Sequence, residues 1–171
     1  DLLNVSQSIT GVSSPKEDNK PHFSPVPGTT GRMSLWHFPS KKHLRTFKEQ
    51  GCTCVVTLQK ADEDPKMPVI ERFCLESEIE WVQTDFWKLY YNGTPQGSPD
   101  LFKLIDSLAN RIKDGGSVMI HCAAGVHRTG VCAYAVLRHL GLSVDTTKET
   151  IGRMRRTTLQ HCGEKRFDDM E

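Results

Sequence analysis

Apolar residues recur along this chain in two rhythms, as short continuous runs and as stripes at three- and four-residue spacing, and together they predict strands alternating with helices. Met33–Phe38 reads as a first strand or extended segment. Ser40–Gln50 reads as a helix, preceded by Pro39, with Leu44 and Phe47 on one face and Gly51 as its stop. Cys52–Leu58, CTCVVTL, is apolar enough for a buried strand. Gln59–Pro68 is a polar, acidic connection, and Val69–Glu76 starts a helix with Cys74 and Leu75 expected inward. Glu80–Phe86 is another strand, burying Trp81 or Val82 according to register, and Trp87–Pro99 is a long loop of a size that usually serves function.

Asp100–Asp114 predicts a helix with Asp100 as N-cap and Leu101, Leu104, Ile105, Leu108 and Ile112 as its apolar face. Gly115 and Gly116 end it and feed a strand at Val118–His121. A further helix runs through Val131, Ala135, Val136 and Leu140 to a cap at Gly141. Asp145–Arg156 is amphipathic, with Asp145 as N-cap and Ile151 inside, and Thr157–Phe167 carries a turn and a last helix. This alternation predicts an α/β fold, with a central, mostly parallel sheet flanked by helices on both faces.

Residues 1–21, rich in Ser, Asn, Lys and Pro, read as a flexible tail or a strap anchored by Leu2, Leu3, Val5 and Ile9, and 22–171 as a single domain opening on turn chemistry at His22–Gly31. The 171 residues allow a sizeable core. A formal net charge of +1 argues against a large nucleic-acid footprint, so no nucleic-acid partner is expected. The longest apolar stretch, Val131–Leu142, is interrupted by Arg138 and His139, so no membrane span is expected. No signal peptide is recognisable, and because the chain begins without Met, whether it is a fragment of a larger protein stays open. The six cysteines form no CxxC pair, which argues against a zinc site and for buried thiols in a reducing compartment, cytoplasm or nucleus. Cys132 or Cys162 could serve an oxidised Cys122 as a resolving thiol.

The candidate chemistry lies in Ser117–Gly130, SVMIHCAAGVHRTG, a strand, a tight loop and a helix start. Such a loop turns backbone N–H groups inward as an anion-binding nest, and the helix end adds positive potential. Ala123, Ala124, Gly125, Val126, His127 and Arg128 are therefore expected to hold a phosphate-sized anion, with Arg128 offering a bidentate fork and Gly125 the tight turn. Cys122 lies at the bottom of this cradle as a candidate thiolate nucleophile, with the Thr129 hydroxyl placed to donate to its sulfur.

HCAAGVHRTG resembles the H-C-x5-R-[ST]-G signature of the cysteine-dependent protein tyrosine phosphatases, and the whole chain is most similar to their compact dual-specificity and atypical branch. The resemblance implies a phosphatase-like fold with a strand–P-loop–helix active site. It implies a protein phosphatase acting on phosphotyrosine, and on phosphoserine and phosphothreonine as well, through a phosphocysteine intermediate and without cofactor or metal. It also implies a phosphoprotein as substrate partner, and leaves the oligomeric state open. In it His121 orients the loop from below, and Gln160, after RMRRTTLQ, helps position the hydrolytic water or the loop; an exposed polar turn explains Gln160 as well. Arg155 and Arg156 would meet a phosphosubstrate or stand as solvated charges.

Relatives carry a general acid in a W-P-D or P-D-G-G type loop, whereas this chain has TDFWKLYYNGTPQ there. Asp85 is the nearest carboxylate and the acid candidate, with capping of the loop as the other explanation; Asp100 ranks third. Phosphoinositide and inositol-pyrophosphate members often carry Lys inside the loop. Ala123, Ala124 and Val126 supply none and His127 is the only extra cation, which favours a protein phosphomonoester. Trp87, Tyr90 and Tyr91 would wall a phosphotyrosine ring or pack their loop. A phosphoinositide or inositol phosphate phosphatase and a catalytically weak phosphate-binding module are the alternatives. A rhodanese-like sulfurtransferase fits the Arg-Thr-Gly helix start less well, and the low-molecular-weight phosphatases and arsenate reductases carry their loop near the N-terminus.

Overall fold

The computed structural model describes residues 18–91, 98–169 and 171. Five strands form one sheet in the order β1-β2-β5-β3-β4, comprising β1 Ser24–Pro25, β2 Arg32–Trp36, β3 Cys54–Thr57, β4 Glu80–Gln83 and β5 Ser117–His121. Only β1 is antiparallel; β2, β5, β3 and β4 run parallel. The helices are α1 Lys41–Glu49, α2 Met67–Glu76, α3 Phe86–Tyr91, α4 Pro99–Lys113, α5 His127–His139, α6 Val144–Met154, α7 Arg156–Cys162 and α8 Glu164–Asp168.

Side-chain alternation along each strand builds two cores. Met33 and Leu35 of β2, Cys54 and Val56 of β3, and Val118 and Ile120 of β5 face α4 and α5 in the larger one. Trp36, Val55 and Met119, from the intervening positions, face α1 and α2 with Leu44, Phe47, Met67 and Ile70. β5 is buried along its whole length because it has a strand on each side and helices on both faces. β4 is an edge strand, so Trp81 and Val82 are both only half-buried, one toward each core.

Several expectations are corrected at element ends. Ser98 caps α4, its hydroxyl accepting from Leu101 N, while Asp100 lies within the first turn and meets Lys103 on the exposed surface. Ser143 caps α6 in the same manner, displacing Asp145. In both cases a serine two positions upstream has the extended backbone that an N-cap needs. Leu75 is 79% exposed, because the buried stripe of α2 runs through Met67, Ile70 and Cys74. The strand expected to reach Phe86 stops at Gln83, and part of the expected long loop is helix α3, with Phe86 fully buried. Residues 92–97 of that loop lie outside the described residues, as do 1–17 with the anchors Leu2, Leu3, Val5 and Ile9.

Residues 18–21, the end of the segment read from sequence as a tail or a strap, are tied to the domain. Asp18 is buried, and its carboxylate accepts from the backbone N–H groups of Arg156 and Thr157 at 2.7 and 2.8 Å. That carboxylate closes the N-terminal end of α7, where helical N–H groups lack internal partners. Gln50 Nε2 donates to the Pro21 carbonyl at 2.7 Å.

Candidate active site

All four parallel strands end on one side of the sheet, and β5 ends there in His121, with Cys122 the next residue. Strand parity turns His121 toward the α1/α2 face beside its register partner Thr57, while Cys122 joins the opposite core. His121 is fully buried within one directed chain of hydrogen bonds. Trp81 Nε1 donates to Thr57 Oγ1 at 2.9 Å, and Thr57 Oγ1 lies 2.7 Å from His121 Nε2. His121 Nδ1 lies 3.3 Å from the Cys122 carbonyl oxygen, which can only accept. Nδ1 therefore carries the proton, and Nε2 accepts from Thr57.

Burial pushes the His121 imidazole down from 6.5 to about 4. The unfolded chain then takes up a proton that the native state refuses as pH falls from about 6.5 to about 4, so His121 withdraws about 3 kcal/mol of stability across that window and nothing further below it. Urea unfolding of wild type and His121→Asn at a series of pH values measures this. The stability difference between the two proteins should change only within the window, and a constant difference would show that His121 takes up its proton as readily in the fold as in the unfolded chain.

From Cys122 the chain turns through Ala123–Val126 into α5, and four successive carbonyls are held from outside the turn. His121 takes that of Cys122, and Phe38 N donates to Ala123 O at 3.0 Å. Arg155 Nη1 donates to the oxygens of Ala124 and Gly125 at 3.0 and 2.8 Å, and Thr158 Oγ1 to Gly125 O at 2.6 Å. Carbonyls drawn outward leave the alternate N–H groups facing inward, the geometry of an anion nest. No side chain caps α5 at its N-cap Val126, so its first N–H groups add to the cradle. Gly125 adopts φ +68°, and a Cβ there would stand 2.3 Å from both Arg155 Nη1 and the Trp36 carbonyl.

Cys122 is 3% exposed, and Thr129 Oγ1 donates to its sulfur at 3.1 Å. Arg128, in the first turn of α5, is held by Glu63 in a fork-to-carboxylate pair of 2.7 and 2.8 Å. That pairing holds the Glu63 carboxyl below its ordinary range, and Gln59 Nε2 steadies it at 2.8 Å. Two of the five guanidinium N–H donors are thus used on Glu63, and the guanidinium also lies within hydrogen-bonding reach of Cys122, where an anion over the sulfur would meet it. Ala123, Ala124 and His127 are exposed around the loop.

Asp85 lies two residues past the end of β4, on the same side of the sheet as Cys122 but two strands away from β5. One of its carboxylate oxygens accepts from Lys88 N at 3.3 Å, so it caps α3. Gln160 is exposed on α7; the loop is instead contacted from that helix by Thr158. Arg155, expected at the substrate or in solvent, is 8% exposed, pinned under the loop and stacked on Trp36 at 5.6 Å. Trp87, Tyr90 and Tyr91 line a cavity of about 490 Å³ with Val131, Lys165, Arg166 and Asp169. Cys132 and Cys162 are buried as free thiols, pushed up by burial to about 12 and about 11.

Sequence reasoning missed Glu63, Thr158 and Asp18 as parts of this site, and placed Arg155 at the substrate or in solvent and not beneath the loop. Their contacts to the loop or its supports span between 30 and 139 positions in sequence. The one legible signal was the acidic character of Gln59–Pro68, a carboxylate-bearing loop at the end of a central strand.

Residues 32–150 match the tyrosine phosphatase family. No curated protein matches the sequence. Among solved structures, a kinase associated phosphatase with its catalytic-site cysteine replaced by serine superimposes with a TM-score of 0.63 at 16% identity, over 89% of this chain and 93% of that one. The core catalytic domain of the PP-IP phosphatase Siw14 from S. cerevisiae, in complex with citrate, gives 0.58 at 19% identity, over 88% and 85%. PTPMT1 in complex with PI(5)P gives 0.57 at 16%, over 86% and 96%. At these identities the structural likeness speaks to fold.

Proposed function

The chain belongs to the tyrosine phosphatase family, and we propose that within it this protein hydrolyses phosphotyrosine in a protein substrate, with phosphoserine and phosphothreonine as further substrates, through a phosphocysteine on Cys122. The observation that carries this is the set of outward-held carbonyls around a buried cysteine and a clamped arginine. The cradle is thereby pre-organised for the spread charge of a transferring phosphoryl group.

In the first step Cys122 sulfur attacks phosphorus as the thiolate. The ester P–O bond breaks, and the leaving oxygen takes a proton from Asp85. In the second step water attacks phosphorus, the S–P bond breaks, and Asp85 recovers a proton from the water. Arg128 and the loop N–H groups bind the equatorial oxygens in both steps. Thr129 steadies the departing thiolate through its bond to the Cys122 sulfur. His121 fixes the loop from below, and Gln160 is assigned to the water side of the second step. The uncharged Ala123, Ala124 and Val126 suit a single phosphate. Free, buried cysteines suit a reducing compartment.

Likeness to a phosphatase of PP-IP and to one crystallised with PI(5)P supports a second reading, an inositol phosphate or phosphoinositide substrate. Turnover of a phosphotyrosyl peptide and of a soluble phosphoinositide, under reductant and with vanadate as inhibitor, separates the two. Faster peptide turnover, blocked by vanadate and abolished in Cys122→Ser, is the expected result. Faster phosphoinositide turnover replaces the first reading with the second, and phosphopeptide binding without turnover makes the protein a binding module. For the acid, Asp85→Asn is expected to lower kcat by about a hundredfold and to flatten the alkaline limb of its pH profile. An unchanged limb would leave Asp85 as a cap for α3 alone.

A further inference from the structure

α1 and α2 pack side by side over one face of the sheet and leave a groove of about 560 Å³ between them, away from the cysteine loop. Lys41, Arg45 and Lys48 form one stripe of α1 along it, Arg72 faces them from α2, and Pro68, Val69 and Phe73 supply apolar lining. Glu76 is the only carboxylate in the lining. Among the described residues none of the four cations makes an ion pair, whereas Arg111, Arg128, Arg138 and Arg153 each hold a glutamate. A chain with a formal net charge of +1 thus gathers three net positive charges at one groove. Lys41 and Arg45, one helical turn apart on that stripe, carry like charges that repel one another.

We propose that this groove is a docking site for an acidic, amphipathic segment of a partner protein, lying with apolar side chains on Pro68, Val69 and Phe73 and with carboxylates against the flanking cations. Charge complementarity identifies the occupant as anionic. The concave, partly apolar shape favours a helix-sized segment over a membrane surface, which a protruding basic face would serve better. The stripe from Lys41 to Lys48 is about 10 Å long at 1.5 Å per residue, about two helical turns. Ser40, the N-cap of α1, is two residues from Phe38, which bonds the cysteine loop, so the Lys41 end of the groove lies on the side of the candidate active site.

The test uses the full chain and a labelled peptide of about 14 residues, four helical turns, with a leucine stripe flanked by glutamates. A second peptide replaces every glutamate with lysine. Fluorescence anisotropy should give saturable binding of the glutamate peptide only, weakened about tenfold or more in Arg45→Glu/Arg72→Glu and by raised salt. Thermal unfolding checks that the variant folds, and Arg45→Gln/Arg72→Gln replaces it if it does not. Absent binding, undiminished binding in the folded variant, or equal binding of the lysine peptide overturns the proposal. Tighter binding to phosphatidylserine vesicles than to the peptide overturns it in favour of a membrane surface. None of these outcomes depends on phosphatase turnover, so the docking site and the proposed reaction fail separately.

Discussion

Replacing Arg128 with lysine is expected to lower kcat for phosphoester hydrolysis about a thousandfold, the upper range for removing one pre-organised donor from a charge-stabilising site. The charge is kept, but the planar fork is lost. In the folded protein that fork does two things at once: it holds Glu63 with one N–H from each terminal nitrogen and keeps further donors over Cys122. A lysine ammonium is a point donor on a flexible stem and cannot grip a carboxylate and a phosphate in fixed directions together. Because the phosphoryl charge spreads in the transition state, kcat should fall more than KM rises. Steady-state kinetics on a phosphotyrosyl peptide measure the split. A lysine enzyme within about tenfold of wild type in kcat would show that the loop N–H groups carry the stabilisation without Arg128.

Gly125→Ala should be nearly as damaging, by a different physical route. The position has φ +68°, where a side chain is strained, and its Cβ would stand 2.3 Å from a backbone oxygen, Trp36 O, and from the buried Arg155 Nη1. Neither can retreat cheaply. Trp36 ends a strand paired along its whole length with β5, and Arg155 is held by the carbonyls it supports. The loop must therefore move, costing about 3 kcal/mol in stability through backbone strain and lost buried contacts. A displacement of about 1 Å at the cradle would lower kcat about a hundredfold or more. Thermal unfolding and kcat on the same samples test both effects, and an alanine variant with normal stability and activity would refute the tight-turn account of the loop.

How much of this was open to sequence reading depends on the distance over which each contact acts. The strand at Val118–His121, the helix entered through Arg128-Thr129-Gly130 and the cysteine between them are local, and their geometry follows from a run of apolar residues, a glycine and a helix start. The helix faces Leu44/Phe47 and Ile105/Leu108/Ile112 were legible for the same reason, since helical periodicity encodes which side is buried. Leu75 escaped the rule because α2 begins at Met67 and not at Val69, and its buried stripe runs through Met67, Ile70 and Cys74. Aspartate caps helices well, so Asp100 and Asp145 are the caps that sequence alone suggests; Ser98 and Ser143 hold those positions because only the folded backbone shows where extended dihedrals give way to helical ones.

The sequence by itself determined the alternating α/β plan, the cysteine and arginine of the loop and their chemical class, because each is written within about 15 residues, the span over which backbone preference and side-chain periodicity act. Tertiary structure alone decided the strand order that makes β5 central, the clamp of Glu63 on Arg128, the Trp81–Thr57–His121 chain and the burial of Arg155 beneath the loop. These join residues 24 to 65 positions apart. Such partners are chosen by the order in which strands pair and by the need of buried polar groups for hydrogen bonds, and neither leaves a periodic trace in the chain.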